Sequence, residues 1–257
     1  MKVVPIALNT FRESVRDRVL YNLVLFVLLL VGASVFLGEL ALSQEAKMIV
    51  DMGLSAMLIF GVLIAIFIGI GLVYKEIDKR TIYNLLAKPI HRHEFILGKY
   101  FGLCFTLLVN TAVMAVAVAA ALLYIKGGLD AIQLRIWPAA YLIFLELMVI
   151  TAVALLFSSL SSPMLSALFT FSLFIIGSFS QDLKGLADHA SSSAMWALCQ
   201  TLYYLLPNLA NFHHITEAAH GQAVPGRMIL AATAYAALYI TVLLATTVII
   251  FQRRNFK

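Results

Sequence analysis

Residues 75–100 read KEIDKRTIYNLLAKPIHRHEFILGKY. This charged peptide lies between two apolar runs, 54–74 and 101–124, each within the roughly 17–25 residues a helix needs to cross a bilayer. Joining two crossings takes only a short polar hairpin. A long connector with its own hydrophobic pattern therefore implies a folded element displayed on one side of the membrane. Ile82, Leu85 and Leu86 share one helical face, and Pro89 stops that helix about two turns after Thr81. A second short helix starts near His91, with His91 and His93 as solvated residues, and runs into the next apolar run.

The rest of the chain is mostly oil. Of 257 residues, 62% are hydrophobic and only 12% are charged, against about 25% charged in soluble domains; mean hydropathy is +0.96. Further runs at 20–38, 139–160, 164–180 and 228–251 bring the expected crossings to six. Lipid leaves no partner for unpaired backbone, and short alternating strands are absent, so the expected class is all-α integral membrane. The first run follows a mixed-charge segment and has no small-residue cleavage pattern, so it is read as an uncleaved span. Cys104 and Cys199 make neither a disulfide framework nor a metal spacing. The net charge of +5 belongs to residues flanking apolar runs, which argues against nucleic acid.

With the N-terminus inside, thirteen of the eighteen Lys and Arg residues fall in inner segments and five (Lys47, Lys126, Arg135, Lys184 and Arg227) in outer ones. The positive-inside rule then puts both termini and the 75–100 loop in the cytoplasm of a cell whose inner membrane holds the chain. Two segments are amphipathic. In residues 1–19, Val4, Leu8, Phe11, Val15 and Val19 recur at helical spacing, predicting a helix in the cytoplasmic interface. In the long outer segment 181–227, the apolar stretch 194–206 ends at Pro207. That length suits a re-entrant or interfacial helix, with Trp196, Tyr203 and Tyr204 at headgroup depth.

No phosphate-binding loop exists: Gly98-Lys99 is followed by Tyr100 and lacks the earlier glycine. Energy for uphill work would have to come from another polypeptide. On pattern alone the 75–100 face has two readings. It docks in a groove of a soluble partner, steered by Lys79, Arg80, Lys88 and Arg92, or it lies on the bilayer with those cations on anionic lipid.

The run Glu76…Arg80-Thr81-Ile82-Tyr83-Asn84-Leu85-Leu86-Ala87-Lys88-Pro89…Arg92…Gly98-Lys99 resembles the first cytoplasmic loop of ABC-2 type transporter permeases. The arrangement of elbow helix, six spans and long outer segment before the last span is similar too, over the whole chain. The look is nearest to single-domain permeases that serve copper-site and multicopper-enzyme maturation. One departure is Arg80, where many relatives carry Gly.

The resemblance implies a type V exporter-like fold whose coupling helix, with Glu76, Arg80, Thr81, Ile82, Tyr83, Leu85, Leu86, Lys88, Pro89 and Arg92, docks on a separate ATPase. That partner would bind ATP and Mg; this chain would bind no cofactor and catalyse nothing. Phe11, Arg12, Glu13 and Arg16 would belong to the elbow. Other implied partners are a second copy or a sister permease, membrane lipid, and an accessory protein on the outer face.

Glu146, mid-span in YLIFLELMVIT, costs about 2.5–3.5 kcal/mol to insert. It is expected either on the substrate path or as a protonated carboxyl bonded to a neighbour such as Asn110. In HHITEAAH, a helix would put His213, Glu217 and His220 on one face, a weak candidate metal site. Two other functional classes remain open. One is an integral membrane enzyme using Glu146 or this cluster; the other is a non-transporting scaffold for a soluble partner.

Overall fold

The structure, a computed structural model, describes residues 3–17, 20–21, 24–25, 28–33, 45–78, 92–126, 128, 131–180, 185 and 192–253. Residues 79–91 lie outside them, so the expectations for Arg80, Thr81, Ile82, Tyr83, Leu85, Leu86, Lys88 and Pro89 do too. The same holds for residues 34–44 and hence for the end of the first apolar run.

The described residues are predominantly helical, joined by short turns, and without strands. The main elements are α1 Val3–Val15, α2 Glu45–Asp78, α3 Arg92–Lys126, α4 Ala131–Leu160, α5 Pro163–Ser178 and α6 Ser193–Leu205. A 3₁₀ turn at Leu209–Phe212 follows, then α7 Ile215–Ala219 and α8 Gly226–Arg253. Among the described residues four helices are long and apolar enough to cross a membrane, at Glu45–Gly71, Arg92–Lys126, Leu134–Leu160 and Gly226–Gln252. The fold is an all-α integral membrane bundle.

Helix α4 is the axle. It packs against α2, α3, α5, α7, α8 and the 3₁₀ turn, and Leu142, Leu147, Val149, Ala152 and Ala154 are fully buried along it. Around it, large apolar side chains point away from protein: Phe101, Phe105 and Leu108 on α3, Leu168 and Phe171 on α5, Leu238 and Val242 on α8. Such a surface would aggregate in water and is at home in lipid. Three buried hydroxyls on the crossings are satisfied inside their own helices, Thr111 on Leu107 O, Thr151 on Leu147 O and Thr247 on Leu243 O. That removes the cost of carrying them in an apolar medium.

Helix α5 has 16 residues, about 24 Å at 1.5 Å per residue, shorter than the ~30 Å hydrocarbon core. The chain after α6 dips back to meet its end. A Cβ on Gly177 would lie 2.7 Å from the Pro207 carbonyl and 3.0 Å from Leu209, so only glycine admits this approach. Ser180 donates to Asn208 Oδ1 at 2.6 Å, and the Asn208 amide donates to Tyr235 Oη at 2.8 Å. Pro207–His220 thus folds back among α2, α4, α5 and α8, re-entrant with respect to the bundle, while the 194–206 stretch expected to be re-entrant or interfacial is the separate helix α6 before it.

Candidate functional site

Two places in the bundle hold ionisable groups against apolar helices. The first is the foot of α3, directly after the 79–91 stretch. Here α1 lies across α3. A Cβ on Gly98 would meet Ile6 at 2.6 Å and Val3 O at 3.2 Å; one on Gly102 would meet Ala7 O and Thr10 Cβ at 2.6 Å. The pair is spaced as Gly-x-x-x-Gly, the pattern that lets two backbones approach in a membrane.

Consequently the packed face of α1 is its small-residue face, with Thr10 and Ser14 fully buried. Val4 and Leu8, on the stripe expected to be apolar, are 64% and 48% exposed and face the medium. Small groups go to protein and large apolar ones to lipid because lipid offers large side chains as good a contact as protein does. Phe11 joins both, edge-on to Phe105 at 4.5 Å.

Charge ties the foot further. Lys99, 1% exposed, has its Nζ 3.7 Å from Glu13 Oε2 on α1 and 5.9 Å from the Phe95 ring centroid. Arg92 Nη1 donates to the carbonyls of Phe251 at 2.9 Å and Gln252 at 3.0 Å, at the C-terminal end of α8. Phe95 stacks on Phe251 at 5.9 Å. Of the other residues expected at the coupling surface and elbow, Glu76 sits in the last turns of α2, Arg12 is in the last turn of α1 and Arg16 just beyond it.

The second place is at mid-depth. Glu146, with no solvent exposure, has Oε1 3.1 Å from His213 Nε2 on the re-entrant segment. Its Oε2 has no hydrogen-bond partner, and neither has Asn110 Nδ2. Asn110, named as one example of a bonded neighbour for Glu146, is not its partner; His213 is. Both Glu146 and Asn110 are buried within this single chain, so neither lines an open path in this conformation. Burial of the His213 ring disfavours its charged form. The hydrogen bond and charge of Glu146 outweigh that, and the ring holds its proton above the ordinary histidine range.

The three side chains named as a candidate metal site diverge. Helix α7 covers only Ile215–Ala219, so His213 turns to Glu146 instead of joining a helical face. His214 Nδ1 lies 3.3 Å from Glu217 Oε1, and His220 Nδ1 donates to Thr216 O at 2.8 Å. Among the described residues no three His, Cys, Asp or Glu side chains gather as a metal would require.

Two features escaped the sequence reading. Gly98-Lys99-Tyr100-Phe101-Gly102 carried a signal in its spacing. The Glu146–His213 pair, 67 residues apart, carried none.

No curated protein matches the chain. The family description that matches is ABC-2 family transporter protein, and it covers residues 4–256. With membrane-crossing helices over the same residues, the chain belongs to the ABC-2 family of transporter proteins, as a multi-pass membrane permease of an ABC transporter.

Proposed function

We propose that this permease lines the path of an ATP-driven exporter and takes its power from a separate ATPase docked on the 75–100 loop. The supporting observation is the binding of the foot. The loop leaves α2 at Asp78 and re-enters at Arg92. From Arg92 to Gly102, α3 is tied to α1 by close backbone approach and Lys99–Glu13, and to α8 by Arg92. A push delivered through the loop therefore moves α1, α3 and the end of α8 together, where a slack connector would dissipate it. In this reading the foot is cytoplasmic, and both termini lie on that side of the inner membrane.

Two permeases, identical or sister chains, would enclose the path, since one bundle buries its polar groups inward and shows lipid-like surface outward. The apolar walls suit a hydrophobic or amphiphilic cargo carried outward. ATP and Mg belong to the ATPase, and an accessory protein would bind the outer face.

The test is co-purification with an ABC ATPase from the cells that make this chain, followed by Leu85→Ala and Leu86→Ala. Both variants should insert normally and lose assembly or stimulated ATP hydrolysis. Unchanged coupling in both would refute the docking. The purified permease alone should show no chemistry.

A further inference from the structure

The re-entrant segment touches the central helix through one ionisable contact. Its other described ties are apolar or neutral: Leu209 at Gly177, Asn208 with Ser180 and Tyr235. Its remaining ionisable side chains are engaged within the segment itself, His214 with Glu217 and His220 with Thr216 O. Glu146 stands roughly midway along the crossing Leu134–Leu160. A carboxylate there with one oxygen unpaired is tolerable only while a proton is shared with its neighbour, because an uncompensated buried charge is far more costly than a pair. His213, with 32% of its side chain exposed, is the member of the pair that reaches the surface of the bundle.

We propose that Glu146 and His213 form a proton-binding site that latches the re-entrant segment to the central helix. The ligand is the proton between Nε2 and Oε1. When it leaves to water, the carboxylate faces a neutral ring, and the segment is released from α4. The device concerns the outer half of the bundle and holds whether or not an ATPase is attached.

The titratable or charged groups on the surrounding elements are Glu45, Lys47, Asp51, Tyr74, Lys75, Glu76 and Asp78 on α2, Arg92, His93, Glu94, Lys99, Tyr100, Cys104, Tyr124 and Lys126 on α3, Arg135 and Tyr141 on α4, and Arg227, Tyr235, Tyr239 and Arg253 on α8; α5 carries none. Of these and of the segment's own groups, Glu146 alone acts on His213. The latched ring holds its proton more firmly than a released one. Latching is therefore complete below the ordinary histidine range and is lost as pH rises through the latched value, with the ratio of released to latched changing by up to about tenfold per pH unit.

The experiment places one reporter thiol in a Cys104→Ala, Cys199→Ala background of the full chain in lipid vesicles. Ala218→Cys reports a fully buried position on the segment, and Gln222→Cys an exposed one. Labelling by a membrane-impermeant maleimide is read as the ratio of the two, each rate first corrected for the ionised fraction of its own thiol, measured by thiolate absorbance. With the pair intact the ratio should climb several-fold from pH 6 to pH 9. In Glu146→Gln, where the amide keeps a hydrogen bond to a neutral ring, and in His213→Gln, it should be flat. A flat ratio with the pair intact, or a slope that survives in Glu146→Gln, overturns the proposal. Should His213→Gln fail to fold by circular dichroism, Glu146→Gln decides alone. No ATPase is present, so this result and the docking result stand or fall separately.

Discussion

Arg92 and Phe251, 159 residues apart, are joined by a 2.9 Å hydrogen bond from guanidinium to carbonyl. The last carbonyls of a helix have no partner within it and carry the negative end of its dipole. Arg92 meets this one and the next, Gln252 O at 3.0 Å, while Phe95 stacks beside them. Two helices distant in sequence are thus fastened where the 79–91 stretch re-enters the bundle.

Arg92→Ala should lower stability by about 1.5–3 kcal/mol, the range for hydrogen bonds to a charged group, and should reduce ATPase stimulation more than it reduces insertion. Arg92→Lys should recover only part of each, because both bonds come from Nη1, one atom farther out than a lysine ammonium reaches. Unfolding in mixed micelles and ATP hydrolysis by the assembled complex read the two effects. Full rescue by lysine would show that charge alone matters.

Gly102→Ala should undock α1. The new methyl would sit 2.6 Å from Ala7 O, a backbone atom that cannot rotate away, and overpacking of this kind costs about 1–3 kcal/mol. Gly98→Ala should do the same against Ile6. By contrast Gly128→Ala, where nothing lies within 4 Å, should be silent. Protease cleavage within residues 3–15 checks the ranking.

How far the sequence could be read follows from which contacts are local. The crossings show because an apolar run advertises itself, and the 194–206 stretch does so by stopping at Pro207. Helix ends show unevenly: α3 begins at Arg92, beside the start expected near His91, whereas α4 begins at Ala131, upstream of its apolar run, because Arg135 is a good helix residue outside hydrocarbon. On α1 periodicity found the apolar stripe, yet a stripe turned to lipid and one turned to protein look alike in sequence. The Gly98/Gly102 spacing was the clue to which face packs. Glu146 stood out as an intramembrane charge, but its partner depends on how far the re-entrant segment dips, which no local pattern encodes.

Removing either member of the mid-depth pair should not cost the same. His213→Ala leaves a fully buried carboxyl facing apolar helices and should destabilise by about 3 kcal/mol or more. Glu146→Leu leaves a ring with 32% of its side chain exposed that can stay neutral, and should cost much less. The double variant Glu146→Leu, His213→Phe should recover most of the loss, since apolar replacement of a buried ion pair is often neutral. Denaturant midpoints of the four proteins, closed as a double-mutant cycle, measure this asymmetry; equal single losses would contradict it.

The Lys99–Glu13 pair invites the matching test at the foot. Lys99 is 1% exposed while Glu13 is 41% exposed, so the lysine bears most of the desolvation and the glutamate, half in solvent, recovers part of it. Glu13→Gln takes away the anion and should lower stability by about 1–2 kcal/mol, less than a fully buried pair would lose because solvent already screens one partner. Lys99→Met keeps the stem's packing against Phe95 and removes the buried cation, so it should be near neutral for stability. In Lys99→Met the further change Glu13→Gln should then cost nothing, a reversal that separates an electrostatic tie from simple loss of contact. If the pair also fixes α1 for transmitting force, Lys99→Met will fold normally and still show weaker ATPase stimulation. Stability and stimulation falling together in every variant would mean that the pair only holds the fold.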